Sequence, residues 1–233
     1  MNDAHGKPPD QAEVFWRSEG DAWFRRNKVD LDTGVARDPI LKLMESQGLR
    51  PRRVIEIGAS NGYRLASINE RFGSFCLAIE PSLQAIDDGR RRFPQVEFRR
   101  GRADAVPVAE NERFDVTVVH FVLHWIDRRL LLRSVAEIDR VLEDAGHLLL
   151  GDFLPDAPTK VPYHHLPGES VFTFKQDYAA LFIQSGLYVN IARMTYDSDD
   201  PLSTTVDDPA RRCSVACLQK RLDASYVTAQ YRP

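Results

Sequence analysis

No stretch of this chain is apolar for long enough to cross a membrane. Residues 1–10 are polar, contain two prolines and lack the apolar core of a secretory signal. Cysteine is scarce. Cys76, Cys213 and Cys217 are odd in number and widely spaced, which excludes a disulfide framework, and no second ligand pair accompanies them to make a zinc site. All three read as small core residues, in keeping with a reducing cytoplasm, the expected location. Positive charge is not in excess. Thirty-one Lys and Arg against 34 Asp and Glu leave a net charge of −3, so no basic nucleic-acid surface is indicated. Arg90-Arg91-Arg92 and Arg99-Arg100 read as solvated faces. Internal repeats and low-complexity segments are missing too, as is the Gly-Lys-Ser/Thr of a P-loop.

What is present is strand and helix in alternation. With 43% hydrophobic residues in 233, the chain can bury one substantial α/β core. Residues 1–12 read as a disordered leader. Apolar pairs at Phe15-Trp16 and Trp23-Phe24 follow, about two helical turns apart, and predict short helices docking on a larger body. A helix is expected over 36–47, ended by Gly48. Strands are expected at 54–57, 75–79, 96–98, 114–119 and 147–153, with helices at 63–72, 82–92 and 128–142. The fourth strand is nearly all apolar, as a strand buried on both faces should be. A loop over 155–168 should lead to a helix at 174–184 and then to an antiparallel pair, 188–196 and 212–219. This order predicts a doubly wound, Rossmann-like α/β fold with seven strands, mostly parallel, and an antiparallel C-terminal strand. The expected layout is an arm over 1–30, one domain over 31–222 and a tail over 223–233.

The chemistry concentrates where the first strand meets the first crossover helix, at Val54-Ile-Glu-Ile-Gly-Ala-Ser-Asn-Gly62. Glycines there let the backbone turn sharply and let a ligand approach it. The helix N-terminus that follows offers free N–H groups and partial positive charge to a carboxylate. Glu80 ends the second strand about twenty residues on, where doubly wound folds place a ribose-binding acid. A dinucleotide loop would read G-x-G-x-x-G. Here Ser60 takes the second glycine position and Tyr63 the third, and a tyrosine ring obstructs a pyrophosphate. A nucleoside ligand without phosphates fits better.

These residues, with Gly101-Arg-Ala-Asp104 after strand three and Phe114-Asp-Val-Thr-Val-Val-His120 as strand four, resemble the class I S-adenosylmethionine-dependent methyltransferases. The resemblance implies a cofactor set around Glu56, Gly58, Ala59, Ser60, Asn61 and Gly62, with the loop on the methionine part. It implies Glu80 on the ribose hydroxyls beside Pro81 and Ser82, and Asp104 on the adenine amino group with Ala103 and Ala105 nearby. His120 and Phe121 would sit at the exit of strand four. A narrower resemblance covers both flanks. Phe15-Trp16, Gly20-Asp21, Arg26-Asn27, Pro162-Tyr163, Phe174-Lys175 and Asp177 resemble methylases of pseudaminic acid and related sugar pathways. Trp23 stands where that group has tyrosine, and His120-Phe121 where it has Lys-Gly. By this resemblance Trp16, Trp23 and Arg26 close over the cofactor, with Arg26 near its carboxylate.

A methyl acceptor with an N or O nucleophile needs a base near neutral pKa, and histidine suits. His120 and His124 flank the exit of strand four; His164 and His165 lie in the loop after strand five. Those four are the catalytic candidates. Asp152, His164 and His165 could also ligate a metal, but their spacing is not diagnostic and no metal is assigned. No Asn-Pro-Pro-Tyr or Pro-Cys element of nucleic-acid methylation occurs, and no catalytic cysteine for C-transfer. The sequence therefore predicts methyl transfer from S-adenosyl-L-methionine to O or N of a small molecule: a sugar, sugar nucleotide or glycosylated natural product. Neither nucleic acid nor membrane is an expected partner; a homodimer is compatible. The alternatives are an NAD(P)-dependent oxidoreductase and a cofactor-binding protein that does not methylate.

Overall fold

Strand β1, Arg53–Ile57, shows how the core is organised. Its side chains alternate between two apolar layers. Val54 joins Ile40, Leu65, Ile68 and Ile86 on one face of the sheet; Ile55 and Ile57 join Ile138, Val141 and Phe182 on the other. Both faces are covered, so the strand is apolar except at its first residue, Arg53, and at Glu56. The computed structural model describes residues 11–223 and 226–229. The expected leader over 1–12 falls almost wholly outside the described residues, as does much of the expected tail.

Seven strands form one sheet in the order β3-β2-β1-β4-β5-β9-β8. Strands β2 (Phe75–Glu80), β3 (Glu97–Arg100), β4 (Phe114–His120) and β5 (Leu142–Phe153) extend β1 in parallel. Strand β9, Arg212–Lys220, lies antiparallel between β5 and β8, Tyr188–Asp197. The expected seven-stranded sheet with its antiparallel C-terminal strand is therefore what forms. Helices α3 (Pro39–Ser46), α4 (Tyr63–Phe72) and α5 (Leu83–Arg92) cover one face, and α6 (Leu131–Val141) and α7 (Ala179–Gln184) the other. Capping follows local chemistry. Asp38 accepts from the N–H groups of Ile40 and Leu41, Ser82 accepts from Ala85, and Gly73 ends α4 at φ +68°. Cys213 and Cys217 share one face of β9, buried in the α3/α4 layer.

Three expectations are corrected. The arm is a continuous helical run, α1 (Gln11–Val14), a π-helical segment (Phe15–Glu19) and α2 (Gly20–Thr33), not separate short helices. The loop after β5 holds a hairpin, β6 (Thr159–Pro162) paired with β7 (Phe172–Lys175). Phe172-Thr-Phe-Lys175 alternates with period two, so Phe174 belongs to β7 and α7 starts only at Ala179. Strand β5 begins at Leu142 rather than His147, with Ala145 at φ +63° and a register shift opposite Phe114–Val116 absorbing the extra residues. Among the described residues, no helix is long and apolar enough to cross a membrane.

Candidate functional site

Parallel strands deliver their following loops to one edge of the sheet, and here a cavity of about 340 Å³ runs along that edge. Gly101 to Asp104 line it after β3, Glu80 and Pro81 after β2, Gly58 to Ser60 after β1, and His120 to Val122 after β4. The helical arm roofs it with Phe15, Trp16, Gly20, Trp23 and Asn27, and continues to Asp30 and Leu31. At Gly20 a Cβ would press on the Phe15 carbonyl oxygen of the arm itself at 3.0 Å, while Ser82 Cβ at the start of α5 would be in ordinary contact at 3.5 Å.

Glu80 sits at the centre of this edge. It is 7% exposed, and burial pushes its carboxyl up to about 7, against the backbone N–H groups of Ser82 and Ser60 that favour its charge. Those two donors, at 2.9 and 2.8 Å, use one site on each oxygen. Each oxygen keeps further acceptor capacity beside the cavity, which is what a pair of ribose hydroxyls requires. Ser60 holds φ at +50°, and its Oγ is buried without a partner. A non-glycine left-handed residue with an unpaired hydroxyl against a cavity is what a loop fitted to a polar ligand looks like. Gly58 lines the cavity at φ +76°, but the room a Cβ would take is filled by Val122 Cγ2, 2.4 Å away. Its freedom serves the turn and the packing of the β4 exit. Gly62 caps α4, and Asn61 is held away from the cavity by donating to Asp88 at 3.1 Å. Asp104 lines the cavity after β3, held by Arg102 in a bidentate pair of 2.9 and 2.8 Å. Ala103 and Pro81 line it as well. Ser82 caps α5 and donates to Asp21 of the arm at 2.6 Å, while Ala105 turns back on Arg102.

Side-chain parity explains the other end. Glu56 and His120 point to the α4 face of the sheet and meet Arg64 there. Arg64 bonds Glu56, Asp38 at 2.8 Å and the His120 Nδ1 at 2.9 Å. Tyr63, also at the start of α4, donates to Asp38 at 2.9 Å. Burial pushes the Glu56 carboxyl up to about 7 despite Arg64, and its Oε2 is buried without a partner. Burial also acts on Asp38, but Arg64 and His120 outweigh it and hold that carboxyl below its ordinary value. Burial and then the Arg64 charge push His120 down to about 3. A guanidinium only donates, so Nδ1 of His120 accepts and Nε2–H donates to the Tyr196 hydroxyl at 3.0 Å. Gly151 leaves room for this ring, because a Cβ there would stand 2.4 Å from His120 Cδ2. His120 therefore lines the cavity but is no base: both nitrogens are engaged and its proton affinity is far too low.

The remaining candidates separate. His124 lies on the opposite face, 3% exposed, with Nδ1 donating to Asp152 at 2.9 Å and its backbone N–H bonding the same carboxylate. Its ring meets those of Phe121, Trp125 and Phe153 at 5.9, 4.9 and 5.1 Å. Phe121, at φ +56°, and Trp125 line the cavity. His164 and His165 are exposed, their rings tilted against each other with centroids 3.9 Å apart, and are not among the lining residues. Asp152 is engaged by His124, and among the described residues no group of three or more His, Cys, Asp or Glu could hold a metal. Trp16 and Trp23 line the cavity, Trp16 with its ring on the Arg100 guanidinium at 3.9 Å. Arg26 does not: it pairs with Glu19 and reaches the Tyr163 hydroxyl at 2.8 Å, fastening the arm to the segment that follows β6. Gln11 adds to that fastening by bonding the backbone of Trp125 and Phe172. Sequence reasoning missed Arg64, Asn27, Asp30 and Trp125. The arginine was findable only as an odd charge in the apolar face of α4.

Residues 55–150 match the family model described as a methyltransferase domain. An uncharacterised methyltransferase of Mycobacterium bovis is 32% identical over 97 residues, 42% of this chain and 38% of that protein. A demethylmenaquinone methyltransferase of Renibacterium salmoninarum is 27% identical over 158 residues, 67% of this chain and 64% of that protein. The chain thus spans less than two thirds of these relatives' lengths. The fold matches the 1,6-didemethyltoxoflavin-N1-methyltransferase of Burkholderia thailandensis, a structure with bound 1,6-didemethyltoxoflavin and S-adenosylhomocysteine. There the TM-score is 0.71 at 15% identity, covering 95% of this chain and 93% of that one. Residues 55–150 are thus similar to a methyltransferase domain, and the seven-stranded sheet has the fold of that methyltransferase structure.

Proposed function

We propose that the protein transfers the methyl group of S-adenosylmethionine to a nitrogen or oxygen atom of a small natural product. The observation that carries this reading is one cavity that joins Glu80, Ser60 and Asp104 to the exit of β4. Glu80 would hold the ribose hydroxyls, the backbone of the loop from Gly58 the methionine part, and Asp104, steadied by Arg102, the adenine edge. When bound, the cofactor supplies a methyl on a sulfonium, which leaves with its bonding pair staying on sulfur as the acceptor's lone pair takes the carbon. The protein then has to align the acceptor, exclude water and receive any proton released.

Among the histidines, we propose that His124 receives one; it does not itself line the cavity but stands next to the lining residue Trp125. With Nδ1–H held by Asp152, the lone pair is left on Nε2, which makes no hydrogen bond among the described residues. Asp152 would act as the positioning residue. The small-molecule acceptor draws support from the 1,6-didemethyltoxoflavin bound to the Burkholderia enzyme and from the aromatic lining of this cavity. Much of the sugar-pathway resemblance falls on residues that latch the arm, Arg26 and Tyr163 above all, and these bear on closure more than on the acceptor.

The test is incubation of the protein with methyl-labelled S-adenosylmethionine and a metabolite extract, read by mass spectrometry. A labelled small molecule together with S-adenosylhomocysteine is expected. Binding of NAD(P) with no binding of S-adenosylhomocysteine would sink the reading in favour of an oxidoreductase.

A further inference from the structure

The part of the cavity left to the acceptor is walled by rings, and its polar groups are engaged elsewhere. In the proposed reading Asp104 takes the adenine after β3 and Glu80 the ribose after β2. Along the strand order β3-β2-β1-β4, the methyl group and its acceptor then fall toward the exit of β4. All three tryptophans of the chain, Trp16, Trp23 and Trp125, line the cavity, and Phe15, Tyr63 and Phe121 line it with them. Rings also join the arm to the β4 exit, since the centroids of Phe15 and Trp125 are 4.8 Å apart.

The polar side chains among these walls have partners already. His120 uses both ring nitrogens, on Arg64 and Tyr196. Arg64 is bound by Asp38, Glu56, Tyr63 and His120. The Tyr63 hydroxyl donates to Asp38 and accepts from Arg64, so what it offers the cavity is its ring. Asp30 is not free either. Backbone donors are taken as well. The N–H of Phe121 goes to Gly151, that of Trp125 to Val122 and that of Ile126 to Leu123. In the glycine loop, Gly58 and Ala59 both donate to Ile79, and Ser60 to Glu80. One amide keeps capacity. Asn27 gives one Nδ2–H to the Trp23 carbonyl oxygen at 2.8 Å, while its other N–H and its Oδ1 make no hydrogen bond among the described residues.

Resting on the methyltransferase reading, we infer that the acceptor is a flat aromatic or heteroaromatic molecule with one polar edge, methylated on a ring nitrogen or a ring hydroxyl, and that a sugar ring is turned away. A planar ligand covers ring faces in offset or edge contacts and brings few polar atoms to strip of water. Its polar edge meets Asn27, whose amide presents a donor and an acceptor in one plane, the pairing by which asparagine reads the edge of a purine. A sugar carries hydroxyls around its whole rim. Each one taken out of water needs a partner, and a single amide cannot serve them all. In the transfer the acceptor's lone pair forms the new bond to the methyl carbon. The C–S bond breaks with its pair staying on sulfur, and the N–H or O–H proton leaves to the base proposed above, His124.

The experiment keeps one ring system and adds a sugar to it. The full chain is first titrated with S-adenosylhomocysteine by calorimetry, and absence of binding at that step strikes the methyltransferase reading itself. The saturated protein is then titrated with 4-methylumbelliferone, with its β-glucoside and with methyl β-D-glucoside. The free coumarin should bind at least about tenfold tighter than its glucoside, and methyl glucoside should show no saturable binding. Asn27→Leu should weaken the coumarin by roughly three- to tenfold and leave S-adenosylhomocysteine affinity within about twofold. Four results overturn the inference with the cofactor reading intact: equal or tighter binding of either glucoside, no binding of the coumarin, coumarin affinity unchanged by Asn27→Leu, or a loss of S-adenosylhomocysteine affinity in that variant as large as the loss for the coumarin.

Discussion

The two ends of the cavity hold buried carboxylates in opposite ways. At the end proposed for the cofactor, Glu80 takes its support from backbone N–H groups, those of Ser60 and Ser82, within twenty residues of itself. At the other end, Glu56 and Asp38 depend on one side chain, Arg64, brought from a third element. Backbone support survives substitution of almost any neighbour. Side-chain support fails at a single position and leaves two charges stranded. The first arrangement suits a site that recognises a fixed group, and the second suits one whose polarity can be retuned.

The sharpest way to break this contrast is Arg64→Met. Removing the common partner of two buried carboxyls should cost about 3–5 kcal/mol, or roughly 10 °C in Tm, read by thermal melting. A loss no greater than that of an ordinary surface substitution would mean the cluster is not the keystone described above. Glu80→Ala comes next. It should weaken S-adenosylhomocysteine by about 1–3 kcal/mol in calorimetry, with little change in Tm.

The pH dependence of Glu80 sharpens the contrast further. Its carboxyl is pushed up to about 7 by burial, above the ordinary 4.5. The folded empty protein therefore holds a proton over that window which the unfolded chain has released. This favours the folded state toward pH 4.5, and the advantage is lost as pH rises through 7. In its proposed ribose-binding role Glu80 accepts as a carboxylate, so ligand affinity should run the other way, weakening as pH falls below 7. Glu80→Gln should flatten the affinity profile, and an unchanged profile would assign it to another group.

Smaller effects belong to the lid. Tyr163 donates to Glu19 at 2.6 Å and accepts from Arg26 at 2.8 Å. Tyr163→Phe should cost about 1 kcal/mol and loosen the arm, seen as faster hydrogen exchange in α2. His165→Ala, at an exposed ring, should stay within about 0.5 kcal/mol and leave turnover unchanged. His124→Gln should lower kcat with S-adenosylhomocysteine binding preserved. The reverse pattern would return the base to the loop after β5.

The same contrast decides what could be read from the sequence. Strands β1, β2 and β4 were legible because burial on both faces leaves their central positions mostly apolar, and Ser82 and Gly73 mark neighbouring helix ends by local chemistry. Glu80 was legible because it ends the second strand about twenty residues after the glycine loop, a position at which doubly wound folds place an acid. Arg64 was not, because its partners lie 26, 8 and 56 residues away and come together only when α3, β1 and β4 are packed. Arg26 was misplaced for a related reason: its partner Glu19 stands two helical turns back, and only the folded arm shows that pairing in preference to the cofactor. The β6–β7 hairpin was hidden by prolines that read as loop, since a two-stranded ribbon tolerates Pro162 at its end.

The placement of β9 bears on how this protein is made. The last strand in the sequence is not an edge but an interior one, slotted between β5 and β8 through long ladders on both sides. Until about residue 220 has left the ribosome, β5 carries an open edge and β8 has nothing to pair with. A nascent chain can assemble β1 to β5 with their helices, but it waits with an exposed apolar edge for the final segment. Stop codons or proteolytic cuts before Arg212 should then yield aggregating chains rather than smaller folded ones, even though every residue lining the cavity has already been synthesised.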